Sequence, residues 1–225
     1  MIAPVRTHFL KRAAVLGLPL AIAACGGGGD RTEVRSATAK PAPIRNATAT
    51  DWRVVATDAD RDRIRRWRDA WMAALPAARR ANPAEVTAQG ALFDPDRALA
   101  DPAPPSGRYR CRVFKLGSAS ASGLAYVAYP YFDCRVGDEG ELKSLFKETG
   151  SQRPVGLLFP DSPTRQVFLG TLVLGDESRA LDYGQDADRD MAGVIERVGE
   201  KRWRLTLPWP RFESQVDVVE LVPAA

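Results

Sequence analysis

Histidine is almost missing from this chain: there is one, His8, in 225 residues. Cysteine is scarce, at three residues, and no acid precedes Asp30. The apolar stretch from Ala13 to Ala24, broken by Gly17 and Pro19, is about 12 residues long. A helix needs roughly 20 to cross a bilayer. Each lack excludes something. With no histidine after residue 8, the body of the chain cannot build a Ser-His-Asp or Cys-His pair, a His-ligated zinc site, or a histidine acid–base couple. Catalysis there would fall to carboxylates, Lys, Tyr or a Ser-Lys arrangement. No glycine-rich strand-to-helix phosphate loop is present, since Gly26 to Gly29 lead into a segment without apolar period. There are no internal repeats.

What is present at the start is a targeting pattern. Arg6, Lys11 and Arg12 form a basic region ahead of the short apolar stretch, as in a secretory signal peptide. The stretch ends Ile22-Ala23-Ala24-Cys25, which resembles the lipobox of bacterial lipoproteins. That resemblance implies cleavage before Cys25 and acylation of its thiol and new amine. Several acyl chains, at about 0.8 kcal/mol per buried CH₂, make a stable anchor. Residues 6–11, RTHFLK, resemble the twin-arginine motif with Thr7 in place of the second Arg, which favours export of the unfolded chain. Gly26 follows Cys25 where inner-membrane retention is associated with Asp, so the expected residence is the periplasmic face of the outer membrane rather than the inner membrane.

The leader also explains the charge. The chain carries 32 Lys and Arg against 28 Asp and Glu, formally +4. Taking away the three basic residues of the leader leaves 29 against 28, so no global electrostatic case for nucleic acid remains. With Cys25 assigned to lipid, Cys111 and Cys134 are an even pair in an oxidising compartment, each in a strand-like segment. A disulfide between them is expected to contribute about 3 kcal/mol in the chain-entropy model.

The organisation follows from composition. Residues 1–24 read as the signal peptide and 25–50, rich in Ala, Thr, Pro and Arg, as a flexible tether. Residues 51–104 read as a helical segment. Thr57 with Asp60 resembles a capping box, and Ile64, Trp67, Trp71, Ala74 and Ala78 recur at helical spacing as one apolar face. Asp62–Arg66 and Arg65–Asp69 are i,i+4 pairs, Pro76 should kink or end the helix, and a short second helix over 83–89 is expected after Asn82-Pro83. Residues 105–225 read as β. RYRCRVF alternates Arg108, Arg110 and Arg112 with Tyr109, Cys111 and Val113. KRWRLTLPW alternates Trp203, Leu205, Leu207 and Trp209 with Arg202, Arg204 and Thr206. RQVFLGTLVLG is apolar on both faces, so both should be covered, one by the core and one by the Trp67/Trp71 face. Seven or so strands joined mostly by short turns predict a mainly β fold with an N-terminal helix: an antiparallel meander forming a small barrel or strongly curved sheet.

The segments YRCRV, GSQRPVGLLFPD, FLGTLVLGDE, RDMAGVIERVGEKRWRLTLPWPRFES and DWRVVATDADRDRIRRWRDAW together resemble an uncharacterised family of proteobacterial exported proteins, known only as a domain of unknown function. The resemblance spans roughly residues 51–223 and implies no activity, cofactor or catalytic residue. The strand order is distantly similar to small lipocalin-like barrels, including exported protease inhibitors with one disulfide, on architecture alone.

Candidate site residues are few. Asp186, Asp188 and Asp190 have the Asp-x-Asp-x-Asp spacing of a calcium loop, but an EF-hand would need Gly at 191 and Glu at 197, where the chain has Met191 and Arg197. The run reads as a solvated hairpin loop, with a looser calcium site as its alternative. Tyr129 and Tyr131 offer aromatic faces to a glycan such as peptidoglycan, or simply pack in a strand. Arg153 offers a donor fork to a carboxylate, with local pairing to Asp161 as the plain reading. Trp209, between two prolines, and Arg211 make a rigid turn that serves as contact surface or strand-end plug. The expected function is a lipid-anchored, non-catalytic binding or interaction module without cofactor or metal, whose partner is an envelope protein or peptidoglycan. The alternatives are a glycan-active enzyme using paired carboxylates in a cleft, and an inhibitor of exported proteases.

Overall fold

The computed structural model of the chain describes residues 49–225. The expected signal peptide, the lipid attachment at Cys25 and nearly all of the tether lie outside the described residues. Eight antiparallel strands close into one barrel in simple meander order. They are β1 (Gly107–Leu116), β2 (Tyr126–Glu139), β3 (Leu142–Lys147), β4 (Gln152–Ser162), β5 (Arg165–Leu174), β6 (Asp190–Gly199), β7 (Arg202–Pro208) and β8 (Val216–Pro223), with β8 pairing back onto β1. Closure removes every sheet edge. Among the described residues four α-helices precede the barrel: α1 (Trp52–Val55), α2 (Asp58–Arg65), α3 (Trp67–Ala81) and α4 (Pro83–Ala88). A 3₁₀ turn, Gly90–Phe93, follows them.

Strand alternation sorts the barrel side chains. Tyr109, Cys111, Leu158, Phe168, Ile195, Trp203, Leu205, Val219 and Leu221 fill the interior. An eight-stranded barrel is just wide enough to be filled this way. Tyr109 and Trp203 meet edge to face at 6.0 Å, and the Tyr109 hydroxyl donates to the Pro105 carbonyl at 2.7 Å. The Cys111–Cys134 disulfide sits within this interior and joins β1 to β2, with Cα atoms 5.8 Å apart. Gly156 and Gly170 are direct cross-strand partners. A Cβ on either would lie 2.2 Å from a backbone oxygen, so only glycine lets β4 and β5 approach this closely.

The helical segment wraps the outside. Its apolar face is not continuous, because the helix breaks at Arg66, whose φ and ψ of −99° and 19° start a new axis. Ile64, Trp52 and Ala56 cover Leu157, Phe159, Val167, Leu169 and Val194. Trp71, Ala74 and Ala78 instead cover Phe114, Leu116, Val216 and Val218, and Trp67 touches both groups. The outer face of β5 is therefore covered chiefly from α1 and α2 rather than by Trp71. Pro76 lies inside α3 and does not end it. Asp62 pairs with Arg66 as expected, at 2.7 Å, while Arg65 also turns to Asp62 rather than to Asp69. Arg204, expected on a polar outer face, is fully buried beneath the 3₁₀ turn. It donates to the carbonyls of Leu92, Asp94 and Arg97 and pairs with buried Glu196 at 2.6 Å.

Candidate functional site

The two ends of the barrel differ. At one end, β2–β3, β4–β5 and β6–β7 are joined by two-residue links, at 140–141, 163–164 and 200–201. At the other, the connections are 117–125, 148–151, 175–189 and 209–215. Long loops carried by a rigid scaffold are where binding residues concentrate. This end holds a cavity of about 250 Å³. Its apolar wall includes Val113, Phe132, Leu172, Met191, Leu207 and Val219, and its polar side includes Lys115, Lys147, Gln152, Glu213 and Asp217.

The polar groups arrive by alternation. Lys115 follows Cys111 and Val113 on the inward face of β1, directly across from Asp217 of β8. Its ammonium lies 3.1 Å from Asp217 and 3.1 Å from Glu213 and donates to the Gln152 side-chain oxygen at 3.3 Å. Burial alone would lower the Lys115 pKa, but the Asp217 and Glu213 carboxylates outweigh it and raise it above the ordinary lysine value. Burial pushes Asp217 up, against the pull of Lys115 and of the Ser214 hydroxyl that donates to it. Two carboxylates around one ammonium keep Lys115 charged.

Lys147, at the end of β3, is different. It is 4% exposed, and its ammonium donates to the backbone carbonyls of Thr149 at 2.7 Å and Gln152 at 2.9 Å. It also lies 3.6 Å from the centroid of the Phe132 ring. Among the described residues no carboxylate pairs with it. Burial lowers its pKa to about 8, helped by the positive charges of Arg153 and Lys115.

The wall loops are braced from outside. The Tyr183 hydroxyl, in loop 175–189, donates to Asp60 and accepts the Thr57 amide at 3.1 Å. The expected capping box is thus half formed: Thr57 Oγ1 accepts the Asp60 amide at 3.2 Å, but the reciprocal contact is made by a tyrosine from across the fold. Burial and the Asp60 charge push the Tyr183 phenol up. Arg63 of α2 donates to the Asp190 carbonyl at 3.1 Å.

The sequence candidates separate on this frame. Tyr129 and Arg211 line the cavity, with Arg211 paired to Asp188 at 2.7 Å. Arg153 does not meet Asp161. The two stand eight residues apart on one strand, about 26 Å at 3.3 Å per residue. Arg153 instead donates to the carbonyls of Gly150, Gly175 and Glu177, tying two rim loops together. Asp161, at the short-turn end, accepts from the Trp52 indole at 2.9 Å and from Arg53 at 3.0 Å. Tyr131 is on the outside of the barrel, stacked with Arg110 at 4.4 Å, its hydroxyl donating to Glu220 at 3.3 Å. Trp209 packs with the α3 group rather than lining the cavity, and its backbone takes a positive φ of 48° at the turn. Asp186, Asp188 and Asp190 do not converge. Asp186 accepts the Asp188 amide at 2.9 Å, Asp188 faces Arg211, and Asp190 is buried, accepting the Gly184 amide at 2.9 Å. Among the described residues no group of three such ligands stands close enough to hold a metal ion.

Lys115, Lys147 and Asp217 were not singled out by motif. Their signal was nonetheless present: extending Tyr109-Cys111-Val113 by two gives Lys115, and stepping back from Leu221 and Val219 gives Asp217.

Residues 52–221 match the model of a family described as a domain of unknown function, DUF4893. No curated protein and no solved structure matches the chain. The chain belongs to the DUF4893 family.

Proposed function

We propose that this family member is a non-catalytic binding module of the bacterial cell envelope, anchored through lipid on Cys25, and that its ligand enters the long-loop end of the barrel. The observation that carries the reading is the cavity itself: an apolar wall faced by a few fixed polar groups, at the one end with extended loops. Eight-stranded meander barrels that hold one small ligand, as lipocalins do, support it by analogy of architecture alone. The lipobox at Ile22 to Cys25 and Gly26 behind it support residence on the periplasmic face of the outer membrane. An envelope protein or peptidoglycan fragment remains the natural source of a partner for a tethered module.

The glycan-active alternative needs two carboxylates flanking a scissile bond about 5–9 Å apart. Asp217 and Glu213 both face the cavity, but the Lys115 ammonium stands between them, 3.1 Å from each.

The test is to purify the protein from its own envelope and identify small molecules retained in native mass spectrometry, beside a Met191→Trp variant that fills the cavity. Retention by the wild type and loss from a folded variant is expected. Equal retention by both, or a wild type that holds nothing, would overturn the reading. Crosslinking in intact envelopes with Cys25→Ser as the unanchored control tests the tether: the variant should leave the membrane fraction.

A further inference from the structure

We infer that the cavity selects a small amphiphile with one anionic head, and that Lys147 is the group that receives the head. This rests on the binding role proposed for the same cavity and specifies its ligand. The charges lining the cavity are not equivalent. Lys115 is committed to Asp217 and Glu213, Arg211 to Asp188, and Arg63 to Asp60. Lys147 alone among these cations has no carboxylate partner, although it is almost wholly buried. An ammonium has three donors. Two are used on the Thr149 and Gln152 carbonyls, the Phe132 ring packs against the ammonium, and Lys147 lines the cavity, so the third donor is the one left for a head group.

The next cation, Arg153, spends its guanidinium on three backbone carbonyls, and the nearby Glu177 carboxylate, which feels its charge, is paired with Arg189. Loop 148–151 is therefore flanked by Lys147 and Arg153. It carries Glu148, which turns away to Arg135 at 2.6 Å. The cavity lining as a whole balances Arg63, Lys115, Lys147 and Arg211 with Asp188, Asp190, Glu213 and Asp217, but the positive charge is uncompensated beside loop 148–151, across from Val113, Leu172, Met191, Leu207 and Val219. A buried cation without a counterion is costly, and a ligand that brings one removes the cost. The apolar wall takes the rest of the molecule. A cavity of about 250 Å³ is at the small end for ligand sites and suits a short chain or a single ring beyond the head.

The test uses three probes matched in size and differing only in the head: hexanoate, hexanol and hexylamine, titrated calorimetrically into the full chain at pH 7. Hexanoate should bind and hexylamine should not. Lys147→Gln should weaken hexanoate about tenfold or more, as expected for one charge-assisted hydrogen bond, and leave hexanol unchanged. Lys147→Arg should restore most of the hexanoate affinity, and thermal melts confirm that each variant is folded. Hexylamine or hexanol binding as tightly as hexanoate would overturn anion selection while leaving the cavity a binding site. Hexanoate binding that survives Lys147→Gln would overturn the assignment of the head group to Lys147. Silence of all three probes would overturn the inference outright, and retention of any molecule in the mass-spectrometric test would then show whether the binding role falls with it.

Discussion

The short-turn end and the long-loop end of the barrel are built from the same eight strands, yet they solve opposite problems. At the short-turn end the interior is packed with Tyr109, Trp203 and Leu221, and the turns are as brief as antiparallel strands allow. At the long-loop end the interior positions go to Lys115, Lys147 and Asp217, and the space they border is left open. Burying charge there costs stability that an apolar plug would not, and the loops that surround it need bracing by Tyr183, Arg63 and Arg153. The difference teaches where to look for function. A barrel filled at one end and open at the other has room for a ligand at the open end alone.

Substitutions at the packed end should change stability and leave ligand binding intact. The largest effect is expected at Trp203, buried and in edge contact with Tyr109. Trp203→Ala should cost about 3–5 kcal/mol in urea unfolding, while the hexanoate affinity of the remaining folded protein stays within twofold. A matching loss of affinity would show that the two ends are one cooperative site. Next comes the disulfide inside the barrel. Reducing Cys111–Cys134 removes a loop constraint over a separation of 23 residues and should cost about 2–4 kcal/mol, read as a shift in denaturation midpoint with and without reductant.

The packed end was also the legible end. RYRCRVF and KRWRLTLPW announce their inward faces by strict alternation of apolar with charged residues, and the cysteine pair falls on that face. The barrel, its antiparallel order and the disulfide follow from that period. The open end was hidden for the same reason. A reading that assigns Lys and Asp to the solvent side stops the inward face at Val113, one step short of Lys115. The strand LKSLFK escaped notice because it is six residues long, mostly buried, and ends in a lysine that looks like a boundary. Arg204 misled in the other direction: its place in the alternation was right, but the 3₁₀ turn and connector laid over it made the outer face a second interior. Tertiary cover of this kind leaves no trace in a local pattern.

The open end should show itself in the pH dependence of binding. The groups facing the Lys147 ammonium are Lys115 of β1 and Arg153 of β4, both positive, and the uncharged Phe132 ring of β2. The head group binds the protonated amine, so hexanoate affinity should hold below about 8, where Lys147 loses its proton, and fall as pH rises through it. An affinity flat from pH 6 to 9.5 would exclude Lys147 as the receiving group.

The smallest effect is on stability, and its sign separates the two ends most cleanly. Lys147 has a folded pKa of about 8 against an ordinary 10.5. Between those values the unfolded chain binds more protons than the native one, so stability rises with pH across that window. This is opposite to a lysine that gains a carboxylate partner, such as Lys115, whose pKa is raised and whose contribution is lost as pH rises through it. Tyrosines and surface lysines also titrate there, so the quantity to measure is the difference between wild type and Lys147→Met. Relative to the variant, the wild type should gain stability from pH 8 to pH 10 in the absence of ligand. With saturating hexanoate at pH 7 the wild type should gain stability that the variant lacks, because the bound anion supplies the missing counterion. A wild type that gains nothing over the variant in either condition would mean that Lys147 belongs to the packing of loop 148–151, and that the open end is space without selection.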